Sequence, residues 1–347
     1  MRRTLVHLVL PLLLVVAAAA PALACAGLVA PNGSVRLTRT ATLAGYHDGV
    51  EHYVTSFQFE GGGAKFGSIV PLPDVPSKVT RGGDWTLQRL QRETQPPEPV
   101  PAAAPGGAED GDGKAEELYE TEIDGLLITI LKGGSRAVGR WAKDEGFALT
   151  PDAPEVLRFY AQRSKIFMAA RFVPEKAEND EKLQEGDGVP IHLRIPTDNP
   201  WVPLRILALG KRPYADVTAD VYLLTDDEPA LLPAPAEAGT NRGVVLERSE
   251  EASDSLLDDL RSDKGMRWVP EEMWLTYLRL QLNARNLTYD LAVDASGAGA
   301  PSEEDAYGVQ EEEPSADEGG YTDIAWVAVP AAGLGLLRAV RSRRRRR

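Results

Sequence analysis

The sequence predicts an α+β fold: one β-rich domain with antiparallel or mixed pairing and a few short helices. Three observations lead there. Runs of two-residue alternation, cut by glycine and proline turns, occupy most of the patterned chain. Helical periodicity is confined to three short stretches. Strands and helices do not alternate strictly, which argues against the parallel, doubly wound architectures.

The first strands fall between Val35 and Leu72. Within them Asp48-Gly49 marks a type I′ hairpin turn, because both central positions need positive φ. After the turn Tyr53, Thr55, Phe57 and Phe59 share one face; before it, Val35, Leu37, Ala41 and Leu43 pair to the opposite face. Either both faces of this hairpin are covered or a bulge intervenes. "GGGAKFGSIVPLPDVPSKV" then reads as a glycine turn, a short apolar strand and a proline-punctuated exit. A phosphate-cradling loop needs Lys followed by Ser or Thr, whereas Lys65 is followed by Phe66 and Gly67.

Residues 94–117 mix proline, glycine and acid without periodicity and read as a disordered insertion. "TEIDGLLITIL" is a strand ending at Lys132. The first helix follows, with Ser135 as N-cap, Gly146 as stop, and Val138, Trp141 and Ala142 as its apolar face. A second helix is capped around Thr150 to Asp152. Strands return at Lys165 to Val173 and in "VPIHLRI", where Ile191, Leu193 and Ile195 point inward against His192 and Arg194. "VPLRILAL" and "DVTADVYLLT" complete a meander, and residues 227–243 form a loose loop. Ser253 to Lys264 is the third helix, closed by Gly265, and "EEMWLTYLRLQL" is a final strand or strand pair. The folded domain spans residues 25–295. Residues 296–323 carry nine acids and no base, which suits a solvated stalk.

The two ends differ from the middle. Residues 1–24 carry two arginines and no acid, and residues 324–347 carry seven arginines and no acid. Setting those nine charges aside takes the formal −14 of the chain to −23 for the part between. Such a surface repels phosphate, so nucleic acid is excluded as a partner. Arg2 and Arg3, the apolar run from Leu5 to Ala20 and the small residues Ala22 and Ala24 form an export signal over residues 1–24. Cys25 would then be the first mature residue. "ALAC" places Ala where a lipoprotein signal wants Leu, so ordinary cleavage is favoured and lipidation of Cys25 is the alternative. A lone cysteine makes no internal disulfide.

Ile324 to Leu337 is fourteen uncharged residues, reaching seventeen over residues 324–340 if Arg338 snorkels. A spanning helix wants about 20 residues, rarely fewer than about 17. Length alone falls short, but the basic residues 341–347 suit a cytoplasmic flank, and Tyr321 and Trp326 suit the outer interface. The expected arrangement is a single-pass protein at the cell membrane, its domain outside and its arginine tail inside. A sorting signal removed after export and a peripheral or buried segment are the competing readings.

The blocks "ACAGLVAPNGSVRLTRTATLAGYHDGVEHYVTSFQF", "FGSIVPLPDVPSKV", "GGDWTLQRLQRE", "LLITILKGGSRAVGRWAKDEGFAL" and "WVPLRILAL" resemble the bacterial domain of unknown function 2330 family. The resemblance is one of block order and spacing, covers most of residues 25 to 225, and brings no chemical motif. It implies an exported, often membrane-anchored protein, and it transfers no catalytic residue or cofactor. Members often carry further cysteines near the mature start, whereas this chain has only Cys25.

Chemistry-bearing patterns are sparse. His47 and His52 flank the hairpin turn and share a face, as diagonal neighbours at roughly 7–8 Å. They are weak metal candidates, because zinc takes three or four ligands and no third is near in sequence; exposed loop histidines are the plainer reading. No "GxSxG" elbow, "HExxH" pair or "DxDxDG" loop is present. Asp226-Asp227 and Asp258-Asp259 read as solvated turn and helix charges. No cofactor is expected. Two classes remain. One is a surface binding or structural module for an unknown extracytoplasmic protein or ligand, with an apolar patch near the hairpin or "IVPLPDVP". The other is an extracytoplasmic enzyme that gathers His47, His52, His192 or distant acids into a concave site.

Overall fold

The Asp48-Gly49 turn organises the largest sheet. Both residues take positive φ, 51° and 72°, so strands β2 (Arg36–His47) and β3 (Val50–Glu60) pair antiparallel with His47 opposite Val50. This is a computed structural model that describes residues 27–29, 36–60, 67–94, 115–123, 125–147, 149–172, 189–237 and 243–308. The expected signal at 1–24, Cys25, most of the 94–117 insertion and the 324–347 anchor and tail lie outside those residues. Among the described residues no helix is long and apolar enough to cross a membrane.

The described strands build three sheets. An eight-stranded mixed sheet has the order β13-β14-β15-β11-β2-β3-β9-β5, with β11 parallel to β2 and β13 parallel to β14. Its other members are β5 (Lys78–Arg81), β9 (Ile191–Pro196), β11 (Asp216–Thr225), β13 (Ala236–Glu237), β14 (Gly243–Glu251) and β15 (Trp274–Asn283). A five-stranded antiparallel sheet runs β1 (Gly27–Val29), β4 (Gly67–Leu72), β8 (Ile166–Phe172), β7 (Leu126–Lys132), β6 (Glu116–Ile123). β10 (Trp201–Val202), β16 (Leu291–Asp294) and β12 (Ala230–Leu232) form the third.

Two cores cover the two faces of the large sheet. Ala44, Tyr53, Leu193, Val221 and Leu278 point into a core shared with the five-stranded sheet and helices α2 (Ser135–Asp144) and α3 (Ala153–Arg163). Leu43, Val54, Tyr222 and Tyr277 point the other way, onto helices α1 (Thr86–Thr94) and α4 (Asp254–Ser262). The alternatives left open by the hairpin are therefore both realised. Its two faces are buried, and a bulge falls between Leu37 and Arg39.

The caps behave largely as their residues dictate. Ser253 accepts a hydrogen bond from the Leu256 N–H and starts α4. Gly146, at φ 85°, ends α2, and the Phe147 N–H bonds the Ala142 carbonyl at 2.8 Å. At the other end of α2 the cap is Gly134, and Ser135 is the first helical residue. α1 escapes sequence reading because its start is stabilised from elsewhere. The Asp263 carboxylate, just past α4, accepts from the N–H groups of Asp84 and Trp85 and from the Thr86 hydroxyl at 3.0, 3.1 and 2.7 Å. Gly83 makes room for it, since a Cβ there would sit 2.1 Å from Asp263 Oδ2.

Several expectations need correction. "TEIDGLLITIL" lies in a hairpin of two strands, β6 and β7, joined at Gly125 with φ 81°; β6 starts at Glu116, so the expected insertion gives way to strand before residue 117. "VPLRILAL" is a 3-10 turn at Arg205–Ala208 rather than a strand. The loose loop at 227–243 contains β12 and β13, which pair with β16 and β14. Residues 296–308, expected to open the stalk, are instead part of the folded domain. Helix α5 (Glu303–Tyr307) packs with Ala306 buried, and its carbonyls accept from Asp290 N–H and from Arg163.

Candidate functional site

His52 and His192 meet although 140 residues separate them. β3 and β9 pair with His52 opposite Arg194 and His192 opposite Val54, so the two rings are diagonal neighbours on one face, with His52 Nδ1 3.0 Å from His192 Nε2. One ring donates and the other accepts. The indole of Trp268 lies flat on His52, ring centres 3.8 Å apart and planes inclined by 13°. Gly45, opposite His52 on β2, admits that indole; a Cβ there would stand 2.2 Å from Trp268 Cη2.

This is a closed contact. His52 is 3% exposed and His192 2%, which overturns the reading of His52 as an exposed loop histidine and of His192 as outward. Alternation along β9 is real, but its second face is covered at His192, while Arg194 and Pro196 stay exposed. Burial pushes His52 down to about 3, helped by His192, Arg194 and His47. It pushes His192 down to about 4, helped by Arg194 and Lys78. Both rings are thus neutral near pH 7. His47, the other metal candidate, turns away: its Nδ1 bonds Asp226 Oδ1 at 2.8 Å, and Nε2 lies 3.4 Å from Asp48. Among the described residues no three His, Cys, Asp or Glu side chains gather as metal ligands.

Glu51, one residue before His52, points to the opposite face. It is fully buried, and burial pushes its carboxyl up to about 8 although the Trp201 N–H donates to it. Its Oε1 lies 3.4 Å from that nitrogen, and Oε2 has no hydrogen-bond partner among the described residues. A second buried acid, Asp290, is fully partnered. Arg163 at 2.5 Å, the Leu204 and Arg205 N–H groups at 2.8 and 2.7 Å and the Tyr160 hydroxyl at 2.9 Å all donate to it. This knot ties α3 to the 3-10 turn and is structural; loss of either partner would leave the other charge buried and uncompensated.

An open concavity of a different kind lies between α2 and α3. It encloses about 330 Å³. Arg136, Arg140 and Lys143 line the α2 wall at i, i+4 and i+7; Pro154, Leu157 and Arg158 line the α3 wall; Gly139 and Leu149 complete it. Four cations and no carboxylate surround it. Three nearby acids are engaged away from it: Glu155 with Arg205, Glu145 with Arg171, and Asp152 with the Gly210 N–H. The sequence displayed these cations only as ordinary helix charges, and no motif marked them. The other expected acids are solvated as read, Asp258 beside Arg261 and Asp259 beside Arg89. An apolar patch at "IVPLPDVP" is not found, because β4 is buried throughout and Val75 is exposed singly.

Comparison with known proteins fits this geometry into a family. The family model described as an uncharacterized protein conserved in bacteria, DUF2330, matches residues 18–293. The chain belongs to DUF2330. The match spans the imidazole pair, Glu51, Asp290 and the α2–α3 groove, and stops short of the C-terminal apolar run. No curated protein matches the chain. Among solved structures, the crystal structure of baculovirus P35 is similar at 10% identity, over 72% of this DUF2330 chain and 95% of that one, with a TM-score of 0.36.

Proposed function

We propose that this DUF2330 protein is an exported, membrane-anchored module that binds an anionic ligand outside the cell membrane through the groove between α2 and α3. The observation that carries the binding half is the groove itself: a concavity lined by four cations and no carboxylate, with Glu145 and Glu155 paired elsewhere. Such a site attracts anions although the chain as a whole is acidic. The topological half rests on the basic-apolar-small order of residues 1–24 and on the apolar run followed by arginines at 324–347. Lipidation of Cys25 is the alternative at the mature start.

A second reading, an extracytoplasmic enzyme, draws on the meeting of His52 and His192. It requires substrate to reach two rings that Trp268 and the sheet enclose, so binding is preferred. The deciding experiment for the topology is the intact mass of the mature chain from fractionated bacterial membranes. The expected species lacks residues 1–24, carries no lipid, keeps Arg338–Arg347 and sediments with membrane. A released species that has lost the C-terminal run would overturn anchoring and make the run a processing signal.

A further inference from the structure

We infer that the groove between α2 and α3 takes a small amphipathic anion, a carboxylate or phosphate head on a short apolar chain. This rests on the binding reading above and names the chemical class of its ligand. The groove has two unlike surfaces. Arg136, Arg140 and Lys143 form a stripe roughly 10 Å long at 1.5 Å rise per residue, and Arg158 faces it from α3. Beside them Leu149 and Pro154 provide an apolar surface, backed by the buried Gly139 and Leu157. A purely ionic ligand would leave that surface wet, and a purely apolar one would leave four cations crowded.

The α2 sequence bears the cost of this arrangement. Like charges at i, i+4 weaken a helix by a few tenths of a kcal/mol each, and an interior glycine costs about 1 kcal/mol relative to alanine. Gly139 lets α2 lie close to the groove's apolar side: a Cβ there would press on Leu149 Cδ1 at 3.3 Å and meet Leu157 Cδ1 at 3.9 Å. An anion bound along the stripe relieves the repulsion, and an apolar chain covers Leu149 and Pro154.

Size limits the ligand. At about 30 Å³ per water-sized unit, 330 Å³ holds roughly eleven such units. That accommodates a chain of about eight carbons with its head, and it is too small for a two-chain lipid. The occupant is therefore a free, single-chain amphiphile rather than a membrane lipid.

The test uses the mature full chain in neutral-lipid nanodiscs, titrated calorimetrically with octyl phosphate, inorganic phosphate and octyltrimethylammonium. The R136Q/R140Q variant in identical discs corrects for partitioning into lipid. Both arginines are exposed, so this variant is expected to melt with the wild type. Octyl phosphate is expected to bind at least tenfold more tightly than either of the other probes, and at least tenfold more weakly to the variant. Equal affinity for octyl phosphate and inorganic phosphate, both lost in the variant, would overturn the amphiphile while leaving the groove an anion site. Identical titrations of wild type and variant with every probe would overturn the groove as a binding site altogether.

Discussion

His52 Nδ1 and His192 Nε2 lie 3.0 Å apart, joining β3 to β9 beneath the indole of Trp268. The bond works only while one nitrogen carries a proton and the other does not. Protonating the accepting nitrogen would set two donors against each other, and a charge on either ring would stand beside Arg194, with Lys78 also close to His192 and His47 to His52. Burial already disfavours the charged form, so the contact is built for neutral imidazoles.

Acid should therefore destabilise the domain. Unfolding releases both rings to an ordinary value of 6.5 from folded values of about 3 and about 4. The unfolded state then binds more protons as pH falls below 6.5, and stability falls with it, by at most about 1.4 kcal/mol per pH unit for each ring. Thermal melts between pH 7 and pH 4 should show this slope, and His192→Gln should make it shallower. An unchanged slope in that variant would place the acid sensitivity elsewhere.

Glu51 should act in the opposite sense. Its folded value is raised to about 8 from 4.5, so its contribution is fully present below 4.5 and is lost as pH rises through 8. Glu51→Gln keeps an acceptor for the Trp201 N–H and removes the titrating group. The variant should match the wild type near pH 5 and exceed it in urea midpoint at pH 8.5. A variant weaker than wild type at both values would mean that the carboxyl itself is needed.

The Gly45–Trp268 contact predicts a non-additive pair. Gly45→Ala sets a methyl 2.2 Å from the indole, which must move. Overpacking of this kind costs about 1–3 kcal/mol. With the indole removed in Trp268→Ala, the same methyl finds room, so Gly45→Ala should cost much less there. Denaturant unfolding of the four chains measures the coupling; additivity would contradict this packing.

Legibility followed the range of the interactions. The Asp48-Gly49 turn, the Gly146 stop and the Ser253 cap were readable because each depends on residues within one turn of chain. Helix α1 was not, since Asp263 caps it from a remote segment. The 3-10 turn at Arg205–Ala208 looked like a strand because its apolar residues match both patterns; Asp290 decides the matter by holding the Leu204 and Arg205 N–H groups.

By itself the sequence determined the β-rich class, the hairpin and its register, two helix boundaries and the separation of basic ends from an acidic middle. These follow from local backbone preferences and from charge, which need no knowledge of neighbours across the fold. Only the tertiary structure decided that both faces of β2 and β3 are covered, along with the second face of β9 at His192, which turned two apparently exposed histidines into a buried pair. It alone placed Arg136, Arg140, Lys143 and Arg158 around one groove and paired Glu145, Asp152 and Glu155 away from it. Burial and charge pairing are properties of surfaces that meet, and which surfaces meet is set by the packing of segments far apart in the chain.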